Sequence, residues 1–447
     1  MVHAQARFSE DAGNAIGGVV RRLGISLLLG FVLFALGAPL LPFQDDWTYL
    51  TAPNLDFTWR DMLPGAAFWR PFDALWGGAL GIAPGLFPWA NRIAVVFGHV
   101  LCVWLALRLI EDLCGDGRGR FAALGFFAVS SGIAATIVNT DSMNLVWSCV
   151  WGCAGTLALL RGRTLWLAFG CYAVSILCKE SGVSWLAVGP ILAYSRERDW
   201  RVLARRVVVG AAILACYMGL RFALRGEVAL GNGGDYALTL SPVTIARNLA
   251  ILVGMGLSNV DGLALFAQKR VVFLATVILS LTAWCAYAAC IDTKRRRDVV
   301  LRMLAGVCVV VAFAAPHCLF KNHHPAEMHF YPVVLGGAFA LAMMPWDGMK
   351  RIPFSLAVVS MAGVFAIGWC DKMATIYTTS ARAEKVLANI KAEVKDFDAP
   401  MAYAVQADKD VVRYSVFSQS PAWCLDSGHA LRSLNGWRES KVKLVEE

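Results

Sequence analysis

Apolar runs of about twenty residues recur along this 447-residue chain and are separated by short polar stretches. A helix of about twenty apolar residues crosses the hydrocarbon core of a bilayer. Only 16% of the residues are charged, against about 25% in a soluble domain. The pattern predicts an all-α polytopic membrane protein with eleven transmembrane helices. The predicted spans are 23–41, 92–110, 120–138, 144–160, 164–178, 181–194, 207–222, 271–290, 301–319, 331–346 and 352–370.

Basic residues cluster in short loops, and this bias sets the predicted orientation. Arg21 and Arg22 precede the first span, and five arginines lie in the loop 195–206. Because cytoplasmic loops carry the excess of Lys and Arg, we expect a cytoplasmic N-terminus and a periplasmic C-terminus. The same clustering accounts for the net charge of +9 without a nucleic-acid partner.

The apolar segment 245–266 is predicted to be re-entrant or interfacial. If it crossed the bilayer, the basic block Lys294–Arg297 would lie outside, against the positive-inside bias. Irregular backbone at membrane depth is tolerated where it faces a cavity. The residues that interrupt the segment are Gly254, Gly256, Asn259 and Asp261. A twelve-span arrangement with the tail inside stays open.

Two regions outside the spans have a composition of their own. Residues 42–91 form a long first outer loop, rich in Trp, Pro and Phe, which is typical of interfacial helices. The transmembrane domain is predicted to cover 1–370. Residues 371–447 are predicted to form a small outer C-terminal α/β domain, with strands at 401–405 and 411–417.

Asp45 and Asp46 stand side by side where the chain leaves the first span. Ionisable residues at a membrane domain are functional candidates, and a carboxylate at a partly dry site suits general-base chemistry. One of the pair is predicted to accept the proton of an acceptor hydroxyl, and Asp45 is favoured. The other is predicted to bind a divalent cation or to orient a donor phosphate. The alternative is an N-cap of an interfacial helix.

Several cationic residues are predicted to bind a phosphate near the outer membrane edge. Arg70 follows Trp69 where the outer loop returns to the membrane, and the Arg fork binds phosphate in a bidentate manner. Lys179 and Glu180 split two short apolar pieces. Lys179 suits a lipid phosphate, whereas Glu180 balances it or helps to hold a metal or an acceptor. Arg247 adds to the same surface. The alternatives are snorkelling arginines and a self-satisfied Lys–Glu pair.

A ligand-rich cluster follows the span 301–319. It consists of His317, His323, His324, Glu327 and His329. Imidazole and carboxylate groups suit transition metals, but the spacing matches no metal-binding signature, and a polar outer loop is the alternative. The residues predicted to hold a divalent metal ion, Mg or Mn, are Asp46, Glu180, His324 and Glu327. Lys321 is a further candidate for anion binding.

The order of these groups resembles that of the GT-C-fold integral membrane glycosyltransferases. It is closest in pattern to the protein O-mannosyltransferase-like and tetratricopeptide-linked groups and their bacterial relatives. The resemblance covers residues 40–370. The matching motifs are Asp45-Asp46, Trp69-Arg70-Pro71, Asn91 to His99, Lys179-Glu180, and Ala326-Glu327 with Tyr331-Pro332. The family often has Ala-Glu-Arg where this chain has Ala326-Glu327-Met328, so His329 or Lys321 would have to replace that Arg.

The resemblance implies a GT-C-like bundle in a bacterial inner membrane and a catalytic role for Asp45 or Asp46. It implies a polyprenyl-phosphate-linked sugar as donor, transferred on the periplasmic face to an envelope glycan, lipid or protein acceptor. Lys179, Arg70 and Arg247 would face the donor phosphate. Other function classes stay open: a transporter or flippase for a lipid-linked saccharide, an O-antigen polymerase or ligase, and an assembly subunit without catalysis.

Overall fold

The computed structural model describes most of the chain. The described residues are 24–43, 46–47, 58–63, 69–114, 118–225, 237–289, 296–321, 325–344, 351–406 and 420–447. Asp45 and His324 lie outside the described residues, and so does the strand predicted at 411–417.

Helices make up most of the described part, and their bounds follow the apolar runs. They are α1 (Gly24–Gly37), α2 (Pro71–Ile82), α3 (Trp89–Cys114), α4 (Arg118–Ala128), α5 (Ala134–Val138), α6 (Met143–Leu160), α7 (Leu165–Cys178), α8 (Trp185–Glu197), α9 (Trp200–Arg225), α10 (Pro242–Ser258), α11 (Leu263–Phe266), α12 (Arg270–Ala288), α13 (Arg296–Cys318), α14 (Phe330–Ala342), α15 (Arg351–Glu393) and α16 (Pro421–Cys424). Short 3-10 turns precede α6, α8 and α14, at Thr140–Ser142, Glu180–Ser184 and Glu327–His329.

Within the described residues, six helices are long and apolar enough to cross a bilayer. They are Trp89–Cys114, Thr140–Leu160, Trp200–Leu224, Arg270–Ala288, Val300–Cys318 and Ile352–Glu393. Shorter apolar helices accompany them at Gly24–Gly37, Ala122–Val138, Leu165–Cys178 and Pro242–Ser258. The prediction of an all-α polytopic membrane protein is confirmed. The count of eleven spans stays a prediction.

The segment 245–266 is interrupted, but not at its glycines. Asn259 ends α10 with a φ of 54°, a left-handed conformation that Asn adopts more readily than most residues. Gly254 and Gly256 lie inside the helix. A Cβ on Gly337 of α14 would overlap the carbonyl oxygen of Gly256. Gly256 and Gly337 therefore let α10 and α14 cross with their backbones in contact, whereas Gly254 has no neighbour within 4 Å of an added Cβ.

Helix α15 links the transmembrane part to the tail without a break. Its 43 residues span about 65 Å at 1.5 Å per residue, about twice the hydrocarbon thickness of a bilayer. Its second half contacts the end of α1: the Leu41 amide donates to Ser380 Oγ at 2.9 Å, and the Tyr377 hydroxyl donates to the Leu36 carbonyl at 2.7 Å. The predicted boundary between 370 and 371 falls inside this helix.

The tail holds a two-stranded parallel sheet. Strand β1 (Met401–Val405) pairs with β2 (Val442–Glu446), and Met401 lies opposite Val442. Along β2, Val442 and Leu444 are buried while Lys443 and Val445 are exposed, which is the period-two pattern of a sheet with one covered face. The strand predicted at 401–405 is confirmed.

Candidate active site

Two motifs that are far apart in the sequence meet at the start of α2. The carboxylate of Glu180 accepts hydrogen bonds from the Trp69 backbone amide at 3.2 Å and from Arg70 Nε at 3.0 Å. The Trp69 indole stacks on the ring of Tyr217 in α9, with 5.6 Å between ring centroids. A residue before a proline is biased towards extended backbone, so Arg70 leads straight into Pro71 and α2. The two hydrogen bonds to Glu180 fix the position of the chain just before α2.

A chain of three polar side chains lies beside this ion pair. Asn144 Nδ2 donates to Asp73 Oδ2 at 3.0 Å, and Lys179 Nζ donates to Asn144 Oδ1 at 3.1 Å. Lys179 is buried, and burial lowers its pKa, an effect to which the nearby Arg70 charge adds. Asn144 lies in the first turn of α6 and Asp73 in the first turn of α2. Two helix starts and the link after α7 therefore bring these groups together.

Asp73 is a carboxyl group that the sequence did not single out. Burial raises its pKa from 3.8 to about 7, while Arg70 and Lys179 lower it and Asp141 raises it further. A carboxyl group that titrates near neutral pH suits proton transfer. In the sequence, Asp73 is one of five Asp residues in the first outer loop, and no local pattern distinguishes it from the others.

Asp46 is fully buried and is bound at both oxygens. Its Oδ2 accepts a hydrogen bond from the Phe43 amide at 2.9 Å, and its Oδ1 accepts one from the Asp141 amide at 2.6 Å. Burial raises its pKa to about 7. Asp46 therefore ties the loop after α1 to the turn Thr140–Ser142, beside Asp73. Its catalytic role stays a prediction, as does that of Asp45.

Two buried histidines stack against each other on the cationic side of the site. His317 of α13 and His329, just before α14, have ring centroids 4.0 Å apart and an interplanar angle of 20°. Within the described part of the chain, both ring nitrogens of His317 and Nδ1 of His329 have no hydrogen-bond partner. Burial lowers the pKa of His329 well below its usual value, and the neighbours His317, Lys179 and Arg70 lower it further.

Two predicted phosphate ligands lie on neighbouring elements. Arg247 is half-buried near the start of α10. The next residue, Asn248, donates to the Phe320 carbonyl at 3.3 Å. Lys321 is exposed, and its backbone amide donates to the Ala237 carbonyl at 2.7 Å. Phosphate binding by Arg247 and Lys321 stays a prediction.

The described residues do not fit the predicted metal site. Glu180 is paired with Arg70, and Glu327 lies 2.6 Å from Lys372 Nζ, which also lies 2.6 Å from Asp261. Among the residues with a described placement, no three His, Cys, Asp or Glu side chains are grouped to hold a metal ion. Hard divalent cations need several convergent oxygen ligands. No step proposed below therefore involves a metal.

An apolar groove of about 670 Å³ opens beside Asp73. It lies between α2, α3 and α6. Its apolar lining includes Leu75, Trp76, Ile93, Phe97, Trp147 and Trp151. Leu75, Ile93 and Phe97 are largely exposed on the outside of the bundle. Asp73, Asn144 and Cys178, the residue before Lys179, also line the groove. One cavity therefore combines exposed apolar side chains with two members of the polar cluster.

Comparisons with known proteins give a distant structural likeness that carries no argument about the fold. No family model and no curated protein matches the chain. A similar solved structure is that of an archaeal oligosaccharyltransferase, AglB from Archaeoglobus fulgidus, in complex with an inhibitory peptide and a dolichol-phosphate. The sequence identity is 11% and the TM-score 0.45, and the match covers 90% of this chain and 65% of that one. A likeness of this degree carries no argument about chemistry, so the proposals below rest on the site itself.

Proposed function

We propose that the chain is a membrane glycosyltransferase that moves a sugar from a polyprenyl-phosphate-linked donor to an envelope glycan, lipid or protein acceptor. The reaction takes place on the periplasmic face of a bacterial inner membrane. The observation that supports this proposal is the apolar groove whose lining includes Asp73 and Asn144, with Lys179 hydrogen-bonded to that Asn144. A lipid-linked sugar phosphate has the same polarity: an apolar tail followed by an anion and a polar sugar.

The groove and the cluster divide the recognition of such a donor between them. The prenyl tail lies against the apolar lining, and van der Waals packing holds it there, because the tail is already in hydrocarbon before it binds. The phosphate lies at Lys179 and Arg70, and each hydrogen bond to a charged group contributes about 1.5–3 kcal/mol. Lys179 is buried and contacts the neutral Asn144 amide, so an added phosphate would give it an anionic partner.

The transfer step uses the carboxyl group of Asp73 for the proton of the acceptor and the cationic groups for the leaving phosphate. The acceptor hydroxyl oxygen attacks the anomeric carbon, and the bond between that carbon and the phosphate oxygen breaks. The phosphate leaves with the electron pair, and Lys179 and Arg70 stabilise its charge. The hydroxyl proton passes to the carboxylate of Asp73. Asp45 and Asp46 stay the sequence-based candidates for the same role.

The variant that tests this assignment is Asp73→Asn. General-base catalysis contributes about 10²–10⁴ in rate, so we expect a loss of that order. The measurement is the release of free polyprenyl phosphate from a labelled pool of polyprenyl-phosphate sugars in membranes that contain the full chain. Asp396→Asn is the matched control, because Asp396 is exposed in the tail. Full activity of Asp73→Asn would remove Asp73 from the mechanism, and Asp45→Asn then tests the other candidate.

The rate should also depend on pH in a defined direction. Asp73 has a pKa of about 7, so its base form increases as the pH rises through 7. We expect the transfer rate to rise between about pH 6 and pH 8 in the wild type, and the residual rate of Asp73→Asn to lack this rise. At the level of the cell, the composition of the envelope glycans should change when the chain is deleted. An unchanged envelope together with no release of polyprenyl phosphate would contradict the proposed function.

A further inference from the structure

We propose that His317, His329 and Lys179 form a pocket that binds a phosphate group and takes up a proton as it binds. The inference deepens the proposed function and rests on it, since the phosphate is that of the lipid-linked donor. Neither histidine is needed to build the groove or to deprotonate the acceptor. Their geometry instead calls for a ligand that accepts hydrogen bonds.

The first evidence is the lack of hydrogen-bond partners in a buried position. His317 is 2% exposed and His329 is 7% exposed. Three of their four ring nitrogens have no hydrogen-bond partner among the described residues. A neutral imidazole carries one donor and one acceptor, and buried polar groups of this kind are nearly always paired in native structures. The stacked pair therefore offers buried N–H groups to a ligand.

The second evidence is the charge around the pair. The titratable groups whose charge acts on His329 are His317 from α13, Lys179 from the link after α7 and Arg70 from the segment before α2, and each of them opposes a positive charge on the ring. Acidic groups act on those cations: Glu180 pairs with Arg70, and Asp141, Glu180 and Asp73 act on Lys179. The described hydrogen-bond partner of Lys179 is the neutral Asn144 amide. The charges that act directly on the imidazole of His329 are therefore cationic, and an anion is the ligand that they favour.

The proton uptake follows from the same arrangement. Without an anion, burial and the neighbouring cations keep His329 neutral at physiological pH. An anion beside the ring reverses the local field and favours the imidazolium. His329 then takes a proton from the solvent and donates to a phosphate oxygen. A charged donor at this point stabilises the phosphate when it gains charge as the leaving group.

The experiment is calorimetric titration of the full chain in lipid nanodiscs with a short-chain polyprenyl phosphate. Titrations at one pH in two buffers of different ionisation enthalpy give the number of protons taken up. His329→Asn keeps an amide at the position of Nδ1 but does not titrate in this range. We expect this variant to take up fewer protons than the wild type. We expect His329→Phe and His317→Phe to bind at least about tenfold more weakly, because each loses a hydrogen bond to a charged group.

Controls separate the pocket from folding and from the lipid tail. His429 is exposed in the tail domain, so His429→Asn should behave as the wild type. Thermal unfolding checks each variant, and His329→Asn keeps the test informative if the Phe variants fail to fold. Inorganic phosphate and the polyprenyl alcohol serve as further probes. Proton uptake with inorganic phosphate shows that the phosphate group alone is recognised. Proton uptake only with polyprenyl phosphate assigns the pocket to the lipid-linked form.

The outcomes distinguish this inference from the proposed function. Equal proton uptake by the wild type and His329→Asn overturns the pocket, and so does unchanged affinity in both Phe variants. If polyprenyl phosphate still binds and sugar transfer is measured in those cases, the proposed function stands. Histidine-dependent phosphate uptake without any transfer supports the pocket and contradicts the glycosyltransferase.

Discussion

Two lysines are buried to nearly the same degree but have opposite surroundings. Lys372 of α15 is 6% exposed, and its Nζ lies 2.6 Å from carboxylate oxygens of both Asp261 and Glu327. Lys179 is 7% exposed, and its Nζ donates to the neutral carboxamide of Asn144 at 3.1 Å. Within the described residues, the charge of Lys372 is matched by direct contact. That of Lys179 is balanced only at a distance, by Asp141, Glu180 and Asp73.

The difference indicates that Lys372 belongs to a structural ion cluster, whereas Lys179 is a group that binds a ligand. Lys372 joins α15 to the links that precede α11 and α14, so its charge is used within the fold. A buried charge without a contacting counterion is costly and persists where a ligand supplies the counterion. We therefore expect removal of Lys372 to reduce stability and removal of Lys179 to reduce ligand binding.

The largest expected effect on stability belongs to Lys372→Met. The substitution leaves Asp261 and Glu327 buried without their shared cation, and breaking a buried pair costs about 3–5 kcal/mol. Thermal or denaturant unfolding of the purified chain in detergent measures the loss. The variant that also carries Asp261→Asn and Glu327→Gln should recover much of it, because no uncompensated charge remains. A single variant as stable as the wild type would show that the cluster is not structural.

Lys179→Met should have a smaller effect, and on a different observable. We expect the affinity for polyprenyl phosphate to fall by about 1.5–3 kcal/mol, roughly 10- to 150-fold. The free energy of unfolding should change little, because no contacting carboxylate loses its partner. Lys391→Met on the exposed face of α15 is the matched control. A large loss of stability without a loss of affinity would remove the contrast between the two lysines.

Part of this site was predictable because charged groups beside a membrane are rare and stand out. Arg70, Lys179 and Glu180 stand out in the sequence on that ground, and the structure brings them together at the start of α2. The helical class followed equally directly from the apolar runs. In both cases one local property, hydropathy or charge, determines the answer, so no knowledge of the packing was needed.

The remaining features depend on which helices pack together. Asp73 meets Asn144 across 71 positions, and His317 meets His329 only because α13 and the turn before α14 lie side by side. In the sequence, Lys372 is a single cation in a long helix. Only the fold shows that two separate links contact it. The contacts of the loop after α1 were equally unpredictable from the sequence. The sequence presents Asp46 as an available carboxylate, and only the fold shows that two backbone amides bind it.

Asp46→Asn is expected to cause the smallest change in stability. It extends the comparison of the two buried lysines to a buried carboxyl group. Like Lys372, Asp46 is buried with its hydrogen-bonding capacity used by the fold. The amide loses one acceptor oxygen, so we expect a stability loss of about 1–3 kcal/mol. The pKa of Asp46 is about 7 in the folded chain and about 3.9 when unfolded. The folded state therefore holds the proton to higher pH, and the stability that this provides is lost as the pH rises from about 4 to about 7.

The variant should show a flatter dependence of unfolding free energy on pH across that window. Asp73 titrates in the same range, so the comparison is made in an Asp73→Asn background. Denaturant unfolding at several pH values between 4 and 7 measures the slope. Transfer is measured separately, with Asp46→Asn in the otherwise wild-type chain. If this variant abolishes transfer while both stability and slope are unchanged, Asp46 belongs with Lys179 among the groups that act on the substrate. The catalytic role predicted from the sequence would then be correct, because hydrogen bonds from two backbone amides would be holding a reactive carboxylate in place.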